Sequence, residues 1–392
     1  MHPERYKQNP DYLPPKKDEP PLHCAARLGD QESLRRLVGE GRDVNQAFDM
    51  RLDLGGRNFW ATPLMVAAGS GYGASIETMR LLLELGSKPL LRFENGSIAR
   101  CAAGGLGWNY LPGGDAARLG FCLELGCDPD ETDERAVTLL AEAANSGDVE
   151  RVKVLLNAGA KPNPAPNASK LPAFKFDLKL PKLPFDENAP MPFQIPLHLA
   201  VEADNLEMVE LLMNAGVDIR MTDNMGRTAL FNAQSSEIAR RLIKAGLNVE
   251  DSDRLGWNPL INAVGDGSLR KIETFLALGA DVNHVHDHGY SVFMHGVGSS
   301  ERSMEIIKAL LSAGANPKLV SELGWNAFHA CLINDDIREK NEELTKAIFE
   351  LLLNLGVDIN QKDKQGISPL AMAQSKGLET EEKLLIKLGA KP

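Results

Sequence analysis

The sequence predicts an all-α solenoid of ten short helical pairs, joined by turn-forming fingers and interrupted by one long proline-rich extended insertion. Three observations predict it. A short apolar run ending in a small residue and then glycine recurs at Gly41, Gly86, Gly126, Gly159, Gly216, Gly246, Gly279, Gly314, Gly356 and Gly389. Three of the gaps between these glycines are equal (Gly126 to Gly159, Gly246 to Gly279 and Gly356 to Gly389), and the rest scatter around that value, mostly with additions. About twenty residues before each glycine stands a second pattern, such as TPLMVAA from Thr62 or SPLAMAQ from Ser368.

Each pattern has a local cause. The residue just past a helix end needs a positive φ, which glycine supplies without steric cost. In the second pattern, a Thr, Ser or Asn side chain caps the first helix of the pair by accepting a backbone N–H. Proline at the first helical position has no N–H to waste. Leucine points inward, and alanine lets the neighbouring helix approach. Other copies are PPLHCAA from Pro20, TLLAEAA from Thr138, IPLHLAV from Ile195, TALFNAQ from Thr228, NPLINAV from Asn258, SVFMHGV from Ser291 and NAFHACL from Asn326. SIARCAA from Ser97 is a degraded copy.

Together with the finger sequence GADVN, Gly279 to Asn283, these units resemble ankyrin repeats, over roughly residues 18–392. The resemblance implies an α-solenoid of helix-turn-helix units with β-turn fingers. It also implies a non-enzymatic role, binding a partner protein on the concave face made by fingers and first helices. The third, fourth and eighth units depart most from the motif.

The expected organisation is a disordered tail over 1–17, repeats one to four over 18–166, an insertion arm over 167–193 and repeats five to ten over 194–392. Smaller insertions lengthen the first finger (46–60) and the inter-helix loops of the third and ninth units (104–117 and 333–347). In the arm, Phe174, Phe176, Leu178 and Leu180 alternate with Lys175, Asp177 and Lys179. Period two argues an extended, one-faced segment, packing on the array or binding a partner. A stack needs about three repeats to stand alone, so 194–392 is expected to fold without the arm.

Composition narrows the function. The formal net charge is -11, which argues against a nucleic-acid surface, since phosphates need a basic face. No run of eighteen apolar residues exists, so no membrane span is expected, and the N-terminus lacks a secretory h-region. The five cysteines form no C-x-x-C pair, which fits a reducing, cytoplasmic setting with buried thiols.

Catalytic signatures are missing: there is no G-x-S-x-G, Walker A or H-E-x-x-H. No cofactor is expected. His23, His198 and His329 hold the fourth position of the T-P-L-H pattern, where the imidazole is expected to bond neighbouring loop backbone. His284, His286 and His288 alternate in one finger, with His295 beyond, and could hold zinc or nickel on one face. Asp287 would face the other way and no thiolate is near, so no metal site is assigned.

The string LGWN begins at Leu106, Leu255 and Leu323. In the last two copies Gly256 and Gly324 are expected turn glycines, and Asn258 and Asn326 expected helix caps. The copy at Trp108 falls in an insertion and is read as coincidence. Between turn and cap stand Arg227, Trp257, Tyr290, Trp325 and Ile367 in units six to ten. Three consecutive aromatics thus form one row, about 10 Å apart at ordinary helix-packing distance. Neither turn nor cap dictates them, and rigid aromatics in an open row are what interface hot spots are made of. The expected partner-binding residues are Arg227, Arg254, Leu255, Trp257, His288, Tyr290, Glu322, Leu323, Trp325 and Ile367, with Phe174 and Phe176 of the arm. The leading function is an interaction scaffold or adaptor. The alternatives are an inhibitor or immunity-type protein that neutralises an enzyme or toxin, and an enzyme or metal-dependent regulator using the His-rich finger.

Overall fold

A computed structural model describes residues 19–49, 60–70, 73–93, 96–104, 115–133, 135–164, 190–191, 194–286, 289–333 and 342–391. The arm residues Phe174 and Phe176, the tail and the LGWN copy at Trp108 lie outside them. The described residues fall into two compact units, one reaching Asp218 and the other starting at Ile219.

The first unit holds repeats one to five. Their helix pairs are α1 (Pro21–Leu28) and α2 (Gln31–Gly39); α3 (Pro63–Gly69) and α4 (Ile76–Glu84); α5 (Ile98–Ala102) and α6 (Ala116–Glu124); α7 (Leu139–Asn145) and α8 (Val149–Asn157); α9 (Pro196–Glu202) and α10 (Leu206–Asn214). The first finger carries the one hairpin among the described residues, β1 (Phe48–Asp49) antiparallel to β2 (Trp60–Ala61). The expected independent fragment, 194–392, thus begins one repeat before the second unit.

The second unit holds repeats six to ten. Repeat six, from Gly216 to Gly246, is shorter than the period that Gly246 and Gly279 set, and its first helix contracts to a 3-10 turn over Ala229–Asn232. It keeps the outer helix α11 (Ser236–Lys244). Then follow α12 (Pro259–Gly265) and α13 (Leu269–Ala277); α14 (Val292–Gly298) and α15 (Met304–Ser312); α16 (Ala327–Cys331) and α17 (Glu342–Asn354); α18 (Pro369–Ser375) and α19 (Glu379–Lys387). Repeat six is therefore where the expected helix pairing is incomplete: its shortened interval leaves the inner segment without the length for an α-helix.

The ten glycines that define the period all have positive φ, between 71° and 116°. Capping side chains do what the pattern requires. Thr62, Ser97, Thr138, Asn258, Ser291, Asn326 and Ser368 each accept from the first turn of the inner helix they precede. Pro20, Ile195 and Thr228 make no such bond. Outer helices have their own caps, including Asp30, Ser75, Asp148 and Asn205.

Inner helices are buried on nearly every side, as in α3, where Pro63, Leu64, Met65, Val66, Ala67 and Ala68 are all core. Each lies against the inner helix before and after it: α3 packs between α1 and α5, and α14 between α12 and α16. Outer helices bury a single stripe, in α15 Ile306, Ile307 and Leu310. Each such fully buried aliphatic side chain stabilises the unit by about 1.5–3 kcal/mol, and α15 packs both on α14 of its own repeat and on α13 of the repeat before it.

Asn326 is the most committed cap. Its Oδ1 accepts from Phe328 N at 3.1 Å and His329 N at 3.3 Å, while Nδ2 donates to the Asp358 carbonyl at 2.7 Å. Asn326→Ala is expected to destabilise the second unit by about 2 kcal/mol. Urea unfolding checks this, with Asn326→Ser recovering about half because it keeps the cap and loses the cross-repeat bond.

Candidate interaction site

The fingers of the second unit are built on one device. In repeat seven, Asp253 Oδ1 accepts from Leu255 N at 2.8 Å and Trp257 N at 3.0 Å, while Asp253 N donates to the Trp257 carbonyl at 2.8 Å. Asp223 does the same for Met225 and Arg227, and Asp363 for Gln365 and Ile367. Ser321 takes this place in repeat nine, accepting from Trp325 N at 3.1 Å, and His286 takes it in repeat eight. The spacing D-x-x-G was legible at Asp223, Asp253 and Asp363, and it fixes the backbone of the row residue four positions on.

The aspartates also engage the row of the preceding repeat. Arg227 Nε donates to Asp253 Oδ2 at 3.1 Å, and Trp325 Nε1 to Asp363 Oδ2 at 3.2 Å. The sequence places the aromatic row in the open, but Trp257, Tyr290 and Trp325 are each half-buried. The reason is that every ring leans on a neighbour. His295, on α14, meets Trp257 edge-on at a centroid distance of 5.0 Å and Tyr290 edge-on at 5.2 Å. Tyr290 meets Trp325 at 6.4 Å, and Trp325 stacks on His329 at 6.5 Å and 2°.

Between these rings lies a cleft of about 480 Å³, walled by Trp257, Tyr290, Trp325, His286, Met294 and Leu323. Its floor is Gly265, Gly298 and Ala330. A small residue is required at Gly298, while Gly265 has room for one more carbon. A Cβ at Gly298 would stand 2.8 Å from the Ala330 carbonyl oxygen, and one at Gly265 would stand 3.7 Å from the Trp257 ring. Of the polar atoms of the lining residues, Tyr290 Oη and His295 Nε2 are themselves buried, without a hydrogen-bond partner among the described residues. Sequence reasoning reached Trp257, Tyr290 and Trp325 but gave His295 no part in this group and did not see the glycine floor.

Burial raises the Tyr290 phenol well above its ordinary range. Burial first, and then the neighbouring His286, lower His295 to about 3. His23 and His329 are also lowered, chiefly by burial. A histidine with a depressed folded pKa leaves stability intact above its unfolded value of 6.5 and erodes it as pH falls from there toward about 3. His295 alone is expected to cost the second unit about 2 kcal/mol at pH 5 relative to pH 7. Denaturant midpoints at the two pH values check this: His295→Asn should narrow the difference, and an unchanged difference would put the acid sensitivity elsewhere.

The remaining expected residues are placed as follows. Arg254 and Glu322 are exposed and Leu255 is half-buried. Leu323 is 43% exposed and Ile367 38%. Their fingers are neighbours in space, because Lys364 N donates to the Leu323 carbonyl at 2.9 Å. Arg227 is held against Asp253 and over the Phe231 ring. His288 lies outside the described residues. His23 bonds the Ala61 carbonyl at 3.0 Å and His329 the Ile367 carbonyl at 3.2 Å, the loop-backbone role expected of that position. His284 meets Glu250 at 3.2 Å and the Gly256 carbonyl at 3.3 Å, while His286 lies against the Tyr290 and His295 rings. Among the described residues no three His, Cys, Asp or Glu side chains form a metal-binding group. All five thiols are buried, and burial pushes Cys101 and Cys331 up to about 12, far from a nucleophile's range. No helix among the described residues is long and apolar enough to cross a membrane.

Antiparallel helix pairs on one recurring interval, each opened by a hydrogen-bonded finger, define a helical repeat module. A family profile for three copies of ankyrin repeats matches residues 196–286, and one for a single ankyrin repeat matches residues 17–47. The chain belongs to the ankyrin repeat family. "Ankyrin repeat and SOCS box protein 6" of Homo sapiens is 27% identical over 148 residues, 37% of this chain and 28% of its own length. The chain thus spans under a third of that relative. "Putative ankyrin repeat protein YahD" of Escherichia coli K12 is 28% identical over 200 residues, 49% of this chain and 94% of its own. A crystal structure of an ankyrin repeat domain from Acinetobacter baumannii AYE is 30% identical, covering 50% of this chain and 98% of that one, with a TM-score of 0.40. Ankyrin repeats are in general protein–protein interaction modules and typically non-enzymatic.

Proposed function

We propose that this chain is a non-enzymatic interaction module that binds a partner protein through the finger and inner-helix face of repeats seven to ten. One observation carries the reading: the half-buried rings of Trp257, Tyr290 and Trp325 wall an open cleft, and exposed Leu323 and Ile367 continue its apolar surface along the fingers. Desolvated aromatic anchors beside a polar rim are the composition of binding hot spots. Arg254 and Glu322 supply that rim. The buried thiols and the lack of a catalytic signature in the sequence agree with a module that binds without chemistry.

Site-specific photocrosslinking tests this. A photoreactive residue at position 323 or 367 should capture a defined protein, and the same residue at Ile386, exposed on the outer helix α19, should not. Equal capture at 386, or none at 323 and 367, would move the interface off this face.

A further inference from the structure

The two indoles of the cleft are used differently. Trp325 Nε1 donates to Asp363 Oδ2 at 3.2 Å, because an aspartate heads the finger that follows. His286 stands at the corresponding place after Trp257. Trp257 Nε1 donates to none of the described residues, and unlike Tyr290 Oη and His295 Nε2 it is not a buried atom. The Cζ3 edge of this indole lies over the floor, 3.7 Å from where a Cβ at Gly265 would stand. Nε1 is on the opposite edge of the ring system, so its free N–H is turned from the floor toward the mouth.

The other reachable polar groups are few. Ser299 Oγ is engaged within the chain, accepting from Glu301 N at 3.1 Å and lying 3.5 Å from the Gly265 carbonyl. Ser300, at the α14 end of the cleft, is exposed. The buried Tyr290 and His295 atoms are out of a guest's reach. No Lys, Arg, Asp or Glu lines the cleft, so an entering charge would be desolvated without a counter-ion. The cleft therefore offers ring faces and an indole that can only donate. Proline suits both. Its ring is apolar, it has no N–H to strand against the aromatic walls, and its chain in polyproline II form turns its carbonyls outward as acceptors. The size agrees as well. Ring centroids step by 5.0, 5.2 and 6.4 Å from Trp257 through His295 and Tyr290 to Trp325. That row is no longer than two turns of polyproline II, about 9 Å each.

Charge at the mouth sets what flanks the prolines. Exposed Glu301 follows Ser300 and exposed Glu322 precedes Leu323. Lys376, at the Ile333 end, is committed to the Leu332 and Ile333 carbonyls at 3.0 Å each. A guest with basic flanks is thus favoured over an acidic one.

We infer that the cleft is a groove for a proline-rich segment of the partner protein, bound as polyproline II with lysine or arginine beside the prolines. A proline ring lies against Trp257, and a carbonyl of the segment accepts from Trp257 Nε1. This rests on the interaction face proposed above. Aromatic grooves in general take such segments because the conformation is preformed and loses little entropy on binding.

The test titrates the full chain with acetyl-KPPAPPK-amide, acetyl-KAAAAAK-amide and acetyl-EPPAPPE-amide, followed by NMR of the tryptophan indole N–H signals. The lysine-flanked proline peptide should bind in the millimolar range or tighter, and at least about tenfold more tightly than the alanine peptide. The glutamate-flanked peptide should be weaker by about threefold or more at low salt. The Trp257 indole signal should move most on binding. Trp257→Phe keeps a ring and loses the N–H, and should weaken the proline peptide about fivefold. Trp257→Ala should weaken it further, and an unchanged Trp325 signal in both variants shows that the repeats stay folded.

Equal binding of the proline and alanine peptides, a Trp257 signal that does not move, or wild-type affinity in Trp257→Phe would overturn the inference. Proline-peptide binding seen only after deletion of 167–192 would give the cleft to the chain's own arm, and a dimer dissociated by the peptide would give it to a second copy; either overturns the assignment to a partner. Crosslinking at 323 to a partner segment that lacks proline would sink this inference and leave the interaction face standing. No crosslink at all would sink the interaction face, whatever the peptides do.

Discussion

Trp257→Ala lowers affinity for the crosslinked partner by about thirtyfold or more, the cost of truncating a central aromatic anchor, about 2 kcal/mol. It is the informative substitution of the row because its indole is held by ring contacts and not by a hydrogen bond to the next finger. Trp325 is different: it stacks on His329 and donates to Asp363, so Trp325→Ala should also cost the second unit about 1–2 kcal/mol of stability. Trp325→Phe separates the two roles, keeping the stack and losing the bond. The comparison is read by titration calorimetry with the partner and by thermal unfolding without it. If Trp257→Ala binds as wild type does, the row is internal packing between repeats and the partner surface lies elsewhere.

Arg100→Ala is expected to have the largest effect on folding. Arg100 is 1% exposed at the side chain, paired with Glu142 of the next repeat, and its Nη2 donates to the Glu131 and Val137 carbonyls at 3.0 Å each. Removing one member of such a buried pair typically costs about 3–5 kcal/mol. Burial already holds the Glu142 carboxyl up, to about 7, against the pull of Arg100. Without the arginine it should rise further and take up a proton in the folded state. A raised carboxyl pKa contributes stability at low pH and loses it as pH climbs, so the deficit should widen from pH 6 to pH 8. Arg100→Met with Glu142→Leu should restore most of the loss. Urea unfolding of the first unit checks both statements, and a deficit that is flat with pH would mean the carboxylate is not the stranded group.

Much of this fold was legible because its causes are local. A glycine past a helix end and a Ser, Thr or Asn before one act within a single helical turn, and every one of the ten period glycines has the expected backbone form. The finger turn at Gly256 and the cap at Asn258 were readable for the same reason. The aspartate column is equally local, and it stands outside the repeat pattern read from the sequence, although Asp253 and Gly256 have the same spacing as Asp363 and Gly366. The contraction of repeat six shows in the sequence only as a shortened interval between Gly216 and Gly246, which does not say which helix gives way. The cleft was not legible at all. It needs Gly298 to stay small where the Ala330 carbonyl of the next repeat crosses it, and His295 to reach Trp257 across a repeat boundary. Such conditions act through packing from one repeat to the next, where a linear pattern carries no signal. The histidines of repeat eight illustrate the difference: their alternation suggested a common metal-facing side, while the structure sends His284 to Glu250 and His286 into the aromatic group.

Arg302 has a consequence for how the second unit comes apart. From the loop of repeat eight it donates to the Val297 carbonyl of its own inner helix at 3.2 Å, to the Cys331 carbonyl of α16 at 3.5 Å and to the Thr345 hydroxyl of α17 at 2.8 Å. One guanidinium therefore closes two helix ends that belong to different repeats. A simple repeat stack frays one repeat at a time from its end. Here α18 and α19 can open singly, but α16 and α17 cannot leave without stranding a buried cation, so repeats eight and nine should open as one foldon. Native-state amide exchange would show it as a single step in opening free energy shared by α14 to α17, and Arg302→Leu should split that step in two.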